Sequence, residues 1–224
     1  MADRQIVAIG GGATDDAVFE AVLAAAARPR PRLLYVGTAA AEDPAKALRV
    51  YDRLRGVAEV SRLEFFPWPP ADLDAVALAQ DAILVGGGNT ANMLAIWRVH
   101  GFDRVLRTAW EQGIVFAGSS AGMNCWFEAC VTDSFGPELA GMRDGLGFLP
   151  GSACPHYDDE EARRPTYRRL VDEGFPPGYA VDSGVALRFA GSELVEVLTT
   201  RPGATAYRVE PGREDPLPAR LVSY

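Results

Sequence analysis

Ile114-Val115-Phe116-Ala117-Gly118-Ser119-Ser120-Ala121-Gly122 reads as an apolar strand that runs into a turn of small residues and leaves it as a helix. In a G-x-S-x-G pattern at such a junction the turn pushes the central hydroxyl out at the sheet edge, and the flanking glycines leave the space the turn needs. Ser120 is therefore a candidate nucleophile. The N–H of Ala121, at the start of the following helix, would face an oxyanion developing on a bound carbonyl. The same letters also serve as a plain strand-to-helix turn, so their meaning depends on the rest of the chain.

Outward from this junction, short β-rich apolar runs alternate with longer amphipathic stretches. Strands are expected at residues 6–9, 33–36, 60–63, 82–85, 114–117, 180–181 and 186–189, and helices at 15–27, 44–55, 90–99, 102–112, 121–130 and 161–173. Residues 194–198 and 206–209, separated by Arg201-Pro202-Gly203, read as a terminal antiparallel pair. The pattern predicts one α/β domain over residues 1–224: a doubly wound, mainly parallel sheet with helices on both faces.

The 224 residues, 48% hydrophobic and 23% charged, suit a globular chain with a sizeable core. A net charge of −8 disfavours nucleic acid and anionic membrane surfaces, because phosphates would be repelled. Small-molecule partners are expected, with a homodimer left open. The three cysteines, Cys125, Cys130 and Cys154, have no C-x-x-C spacing and read as reduced thiols of a cytoplasmic protein. The opening Met1-Ala2-Asp3-Arg4-Gln5 leads straight into a strand, so no signal peptide is expected, and no run has the length of a membrane span.

Ligands of open parallel sheets collect at the carboxyl ends of strands, where this chain has two glycine-rich turns. Gly10-Gly11-Gly12-Ala13-Thr14-Asp15 fails as a dinucleotide fingerprint because Asp15 stands where the third glycine belongs. In Gly86-Gly87-Gly88-Asn89-Thr90, Asn89 or Thr90 can cap the next helix, while three glycines let backbone approach a ligand. The Gly88 N–H is thus a candidate second oxyanion donor. A serine nucleophile needs a base, and the chain has two histidines. His100 fits a helix C-terminus, where the dipole favours it. His156, in the loop Cys154-Pro155-His156-Tyr157-Asp158-Asp159, is the better base. Asp158 and Asp159 read as solvated loop residues. Two histidines and scattered cysteines disfavour zinc, and the chemistry requires no cofactor.

The Gly-Gly-Gly-Asn-Thr turn, the Ser120 elbow and Pro155-His156 occur in the order and approximate spacing of the peptidase E (α-aspartyl dipeptidase) and cyanophycinase family, which the chain resembles over nearly its whole length. The resemblance implies a class I glutamine-amidotransferase-like fold and a serine peptidase, with Ser120 as nucleophile, His156 as base, and the Gly88 and Ala121 amides as oxyanion donors. It implies short peptide substrates, chiefly dipeptides with an N-terminal aspartate. Asn89 and Thr90 would lie in the substrate site, and Arg163 and Arg168 fall closest to family arginines, Arg163 nearest the one that meets the substrate carboxylate. Arginine's planar fork suits that task, although four arginines at 163, 164, 168 and 169 also fit a salt-bridged helix face. Where the family has a glutamate to orient the histidine, this chain reads Asp182-Ser183, with Ser183 at the glutamate's position. Asp133 and Asp182 are then the candidate third members, since a serine orients an imidazolium poorly. Other readings are another peptidase or amidase on the same scaffold, including an aminopeptidase or a cyanophycin-degrading enzyme, and a non-catalytic member.

Overall fold

The computed structural model describes residues 4–12 and 16–222. The first half runs β1 (Gln5–Ile9), α1 (Asp16–Ala25), β2 (Arg32–Val36), α2 (Pro44–Leu54), β3 (Glu59–Leu63), α3 (Leu73–Leu78), β4 (Ala82–Val85), α4 (Thr90–His100), α5 (Phe102–Glu111) and β5 (Val115–Ser119). After it come α6 (Ala121–Asn124), β6 (Phe127–Thr132), β7 (Ala140–Met142), β8 (Leu149–Cys154), α7 (Arg163–Asp172) and β9 (Gly178–Val181). The chain then closes with β10 (Val185–Ala190), β11 (Glu193–Thr199), β12 (Ala206–Glu210), β13 (Arg213–Leu217) and β14 (Arg220–Leu221).

Two sheets form, in the orders β14-β11-β10-β1-β5-β4-β2-β3 and β13-β12-β9-β8-β6-β7. From β3 to β1 the first sheet is parallel, and β10 joins it antiparallel to β1. Its inner strands β1, β2, β4 and β5 are apolar at nearly every position because both faces are covered, as parallel sheets require, whereas the outer β3 and β11 carry polar, partly exposed residues. Successive side chains alternate between the faces. Val7, Ile9, Leu33, Leu84 and Ala117 pack on Phe19 and Val22 of α1 and Leu54 of α2. Ile6, Ala8, Leu34, Ile83 and Phe116 pack on Trp97 of α4 and Leu106 of α5, and their cluster continues into Phe127, Leu149 and Val181 of the second sheet. The far side of that sheet, with Val131, Cys154 and Ala180, is covered by Tyr167 and Val171 of α7. Under the Ser120 junction, Phe116 stacks on Trp126 with centroids 4.7 Å apart, and each such fully buried ring contributes roughly 1.5–3 kcal/mol.

The α/β class and the parallel sheet hold, and three expectations are corrected. The helix expected over 121–130 ends at Asn124, and residues 127–132 are β6; a buried apolar run this short cannot be told from a helix by periodicity alone. The terminal antiparallel pair does not form: β11 lies on β10 in the first sheet, whereas β12 lies between β9 and β13 in the second. Residues 200–205 are too long a link for a tight hairpin, and they carry the chain across to the other sheet. The second sheet itself was not anticipated, since its strands at 127–132, 140–142 and 149–154 lack strong alternation. The expected helix start at Asp15 lies outside the described residues; α1 begins at Asp16.

Candidate active site

The carboxyl ends of β1, β4 and β5 meet at one edge of the first sheet, where Gly10–Gly12, Gly86–Gly88 and Ser120 follow them. Ser120 has φ 56° and ψ −110°, a backbone state costly for a residue with a Cβ. Backbone packing enforces it. A Cβ on Gly118 would overlap the Gly122 carbonyl, and one on Gly122 would overlap that of Val85. The Ser120 N–H donates to Ile9 O at 3.0 Å, and Ser120 O accepts from Asn124 N at 2.9 Å, starting α6. The hydroxyl is left facing out of the sheet.

His156 arrives from the loop between β8 and α7, also at positive φ, 54°. Its N–H donates to Gly10 O at 2.8 Å, and its ring lies against Gly11, where a Cβ would stand 2.6 Å from both ring nitrogens. Nε2 is 3.0 Å from Ser120 Oγ, within reach for proton transfer. Nδ1 faces Ser183 Oγ at 3.2 Å, Asp159 Oδ1 at 3.4 Å and Glu160 Oε1 at 4.0 Å. Ser183 is itself buried and donates to Asp159 Oδ2 at 2.6 Å. The Ser183 N–H donates to Asp158 Oδ1 at 2.8 Å, and Arg201 Nη1 pairs with both Asp158 Oδ2 and Ser183 O at 2.8 Å.

The two acids predicted to orient His156 lie elsewhere. Asp133 is exposed, and Asp182, although buried, turns its Oδ2 to the Thr205 N–H at 2.9 Å. Asp182 and Ser183 form the turn between β9 and β10, in which Ser183 Oγ meets His156 while the Asp182 carboxylate is held by the Thr205 N–H. Burial, reinforced by Asp158 and opposed by the Thr205 N–H, raises the Asp182 carboxyl above the usual aspartate range. Asp158 and Asp159 are exposed, as expected of solvated loop residues, and each also accepts a hydrogen bond from Ser183.

The substrate candidates also divide. The Gly88 N–H meets no acceptor among the described residues, and at φ 148° Gly88 packs so closely on Ala39 that only glycine fits. Ala121 opens α6, so its N–H has no intrahelical acceptor. Ala121 follows Ser120 directly, and Gly88 lines the same cavity as Ser120. Asn89 caps α4 through Asn92 N at 2.9 Å and donates to Ser134 O, and Thr90 is buried against Asn124. Arg163 is buried, bound to Glu160 at 2.6 Å and to Val131 O; Arg168, half exposed, faces Glu214 at 3.7 Å. Neither arginine lines the cavity over Ser120. That cavity, about 990 Å³, is lined by Gly11, Gly12, Tyr35, the glycines of the second turn, Ser120 and His156, and on α2 by Lys46, Arg49 and Arg53 together with one acid, Asp52. Lys46, Arg49 and Arg53 share one face of α2, a spacing visible in the sequence but not used there. The Lys46 Nζ reaches Gly87 O at 3.4 Å. Burial raises the Tyr35 phenol, so its hydroxyl is neutral at the cavity wall.

His100 ends α4 and packs over Phe65 at 5.5 Å. The cysteines are free and buried; burial pushes the thiols of Cys130 and Cys154 up to about 12, so they are poor nucleophiles. Among the described residues no cluster of three His, Cys, Asp or Glu side chains is arranged to hold a metal, and no helix is long and apolar enough to cross a membrane.

A hydroxyl held at positive φ on a strand-to-helix elbow, with an imidazole at 3.0 Å, defines an α/β protein of the nucleophile-elbow class. The sequence model of Peptidase family S51 matches residues 5–197, and the chain belongs to that family and is a peptidase. It is 41% identical to the uncharacterized peptidase YgaJ of Bacillus subtilis (strain 168) over 230 residues, covering 98% of this chain and 99% of the relative. It is 29% identical to the peptidase E of Streptomyces coelicolor (strain ATCC BAA-471 / A3(2) / M145) over 124 residues, 51% of each chain. The fold matches the crystal structure of a peptidase from an acI-B1 actinobacterium with TM-score 0.70 at 16% identity, covering 99% of this chain and 97% of the other. A putative peptidase E from Listeria monocytogenes EGD-e matches with TM-score 0.63 at 18% identity, over 87% and 98%.

Proposed function

We propose that this chain is a serine peptidase that hydrolyses short peptides, foremost dipeptides with an N-terminal aspartate, through an acyl-enzyme on Ser120. The observation that carries the reading is the 3.0 Å contact between His156 Nε2 and Ser120 Oγ at the floor of an open cavity. As Oγ attacks the peptide carbonyl carbon, its proton passes to Nε2, and the oxyanion takes the Gly88 and Ala121 N–H groups. The Nε2 proton then goes to the leaving amine as the C–N bond breaks. Water enters, gives a proton to Nε2 and attacks the ester carbonyl, and Ser120 leaves with its hydroxyl restored.

The aspartyl preference rests on charge. Lys46 and Arg49 line the cavity and can face a substrate carboxylate, a task for which Arg163 and Arg168 are engaged elsewhere. Three free thiols suit a reducing compartment, the cytoplasm.

The test compares parent and Ser120→Ala on Asp-Leu, Ala-Leu and an Asp-containing tripeptide. Parent turnover of Asp-Leu should fall about 10⁴-fold in the variant. Equal turnover would overturn the mechanism, whereas cleavage of Ala-Leu in preference to Asp-Leu would remove the aspartyl assignment and leave a broader aminopeptidase.

A further inference from the structure

We propose that Asp159, acting through the Ser183 hydroxyl, is the carboxylate that orients His156 and balances its charge, so that the site is a relay of Ser120, His156, Ser183 and Asp159. The inference rests on the reading of Ser120 and His156 as nucleophile and base, and it assigns the part of the site which that reading leaves unfilled.

The donors and acceptors close in one sense only. With Nε2 accepting from Ser120 Oγ, the neutral imidazole carries its proton on Nδ1. That N–H donates to Ser183 Oγ at 3.2 Å, and the Ser183 O–H donates to Asp159 Oδ2 at 2.6 Å. Asp159 is placed there by the backbone of the histidine loop. Positive φ at His156 turns the chain back on itself, and the Glu160 N–H bonds His156 O at 3.3 Å, closing a single helical turn. Side chains three residues on therefore fold back over the ring. When Ser120 gives up its proton, the imidazolium faces the Asp159 carboxylate directly, with Oδ1 3.4 Å from Nδ1.

Ser183 alone would be a weak partner for an imidazolium, since a hydroxyl carries no compensating charge. Its position is nonetheless tightly fixed. Asp158 holds its N–H, Arg201 holds its carbonyl, and Gly12 lies against its Cβ. A buried hydroxyl anchored on three sides and donating to a carboxylate extends the reach of that carboxylate to Nδ1. The rival acid is Glu160, 4.0 Å from Nδ1, but its other oxygen is bound to the buried Arg163 at 2.6 Å, which draws its charge away from the ring. Asp159 has no arginine against it among the described residues.

The experiment measures the rate at which a fluorophosphonate probe labels Ser120 in the parent and in Asp159→Asn, Ser183→Ala, their double variant and Glu160→Gln. Peptide kinetics and thermal midpoints are recorded for each. Labelling is expected to fall about 10- to 100-fold in each single variant of the relay, with kcat reduced and KM retained. The double variant should label no more slowly than the slower single, because the two groups act as one unit. Parent-like labelling in Asp159→Asn, losses that multiply in the double variant, or a Glu160→Gln loss matching that of Asp159→Asn would each overturn the relay. Asp159 is nearly half exposed, so Asp159→Asn decides the matter even where the buried Ser183→Ala loses stability. A parent that does not label at all would sink the serine-peptidase reading itself, a failure distinct from a labelled parent with indifferent variants.

Discussion

The elbow that carries Ser120 and the loop that carries His156 both hold a non-glycine residue at positive φ, 56° and 54°, and they do so by opposite means. At the elbow the constraint is backbone against backbone. Gly118 sits on the Gly122 carbonyl, Gly122 on that of Val85, and Ser120 N–H on Ile9 O, with no charged side chain involved. In the histidine loop the backbone bonds from His156 N–H to Gly10 O, from Tyr157 N–H to Val181 O and from Glu160 N–H to His156 O are supplemented by carboxylates: Asp158 and Asp159 grip Ser183, and Glu160 grips Arg163. Ser120 is thus fixed by packing, which tolerates no added atom, whereas His156 is held largely by polar side-chain contacts that can be loosened one at a time. In the proposed mechanism the serine meets the substrate at a set point, while the imidazole changes charge during each turnover, and a polar cradle suits a group that does so.

The contrast is broken most severely by a methyl group at the elbow. Gly118→Ala places a Cβ inside the Gly122 carbonyl, where only main chain can move, so overpacking should cost about 3 kcal/mol or more and abolish labelling of Ser120. Denaturant unfolding beside fluorophosphonate labelling checks this. An active variant of normal stability would mean that the elbow yields and is not the rigid member of the pair.

A smaller effect is expected where the two regions touch. Gly11, at φ 127°, lies on the His156 ring, and in Gly11→Ala the new Cβ meets a side chain that can rotate away. The stability cost should be about 1–3 kcal/mol, from backbone strain. Labelling should drop about 100-fold, since displacing the imidazole by about an ångström separates Nε2 from Ser120 Oγ. If stability falls and labelling does not, the imidazole is held by its carboxylates more firmly than by Gly11.

These two regions also differ in how legible they were. The elbow is written in five consecutive letters, because its constraint is local: a strand, small residues, a helix. The same locality made the first sheet readable, since strands buried on both faces stand out as apolar runs. His156 could be chosen because only one other histidine competes and that one ends a helix. Its partners could not be chosen. Asp159 comes back over the ring only because His156 adopts φ 54°, and nothing in Pro155-His156-Tyr157 demands that conformation. Ser183 stands where the family has a glutamate, yet its bond to Asp159 spans 24 residues and depends on the meeting of two loops. The second sheet failed for a related reason: which strand pairs with which is a non-local choice, so β11 and β12 looked like neighbours and are not.

The smallest effect separates the acid that belongs to the histidine loop from the one beside it in sequence. Asp182 precedes Ser183 but points to Thr205, and burial raises its carboxyl above the usual aspartate range. The folded chain therefore holds a proton at pH values where the unfolded chain, titrating near about 4, has released it. With more protons bound in the folded state, stability falls as pH rises from the unfolded value through the raised folded one, and is flat with respect to this group above both. Asp182→Asn keeps an oxygen for the Thr205 N–H and removes the buried charge. Its stability at neutral pH should match or slightly exceed the parent's, within about 1 kcal/mol, and the decline just above the usual carboxylate range should be shallower. Denaturant unfolding at a series of pH values from 4 to 7 measures both. Labelling of Ser120 should be unaltered, because Asp182 reaches His156 through no hydrogen bond; a labelling loss comparable to that of Asp159→Asn would mean that the β9–β10 turn, and not the histidine loop, sets the orientation of the base.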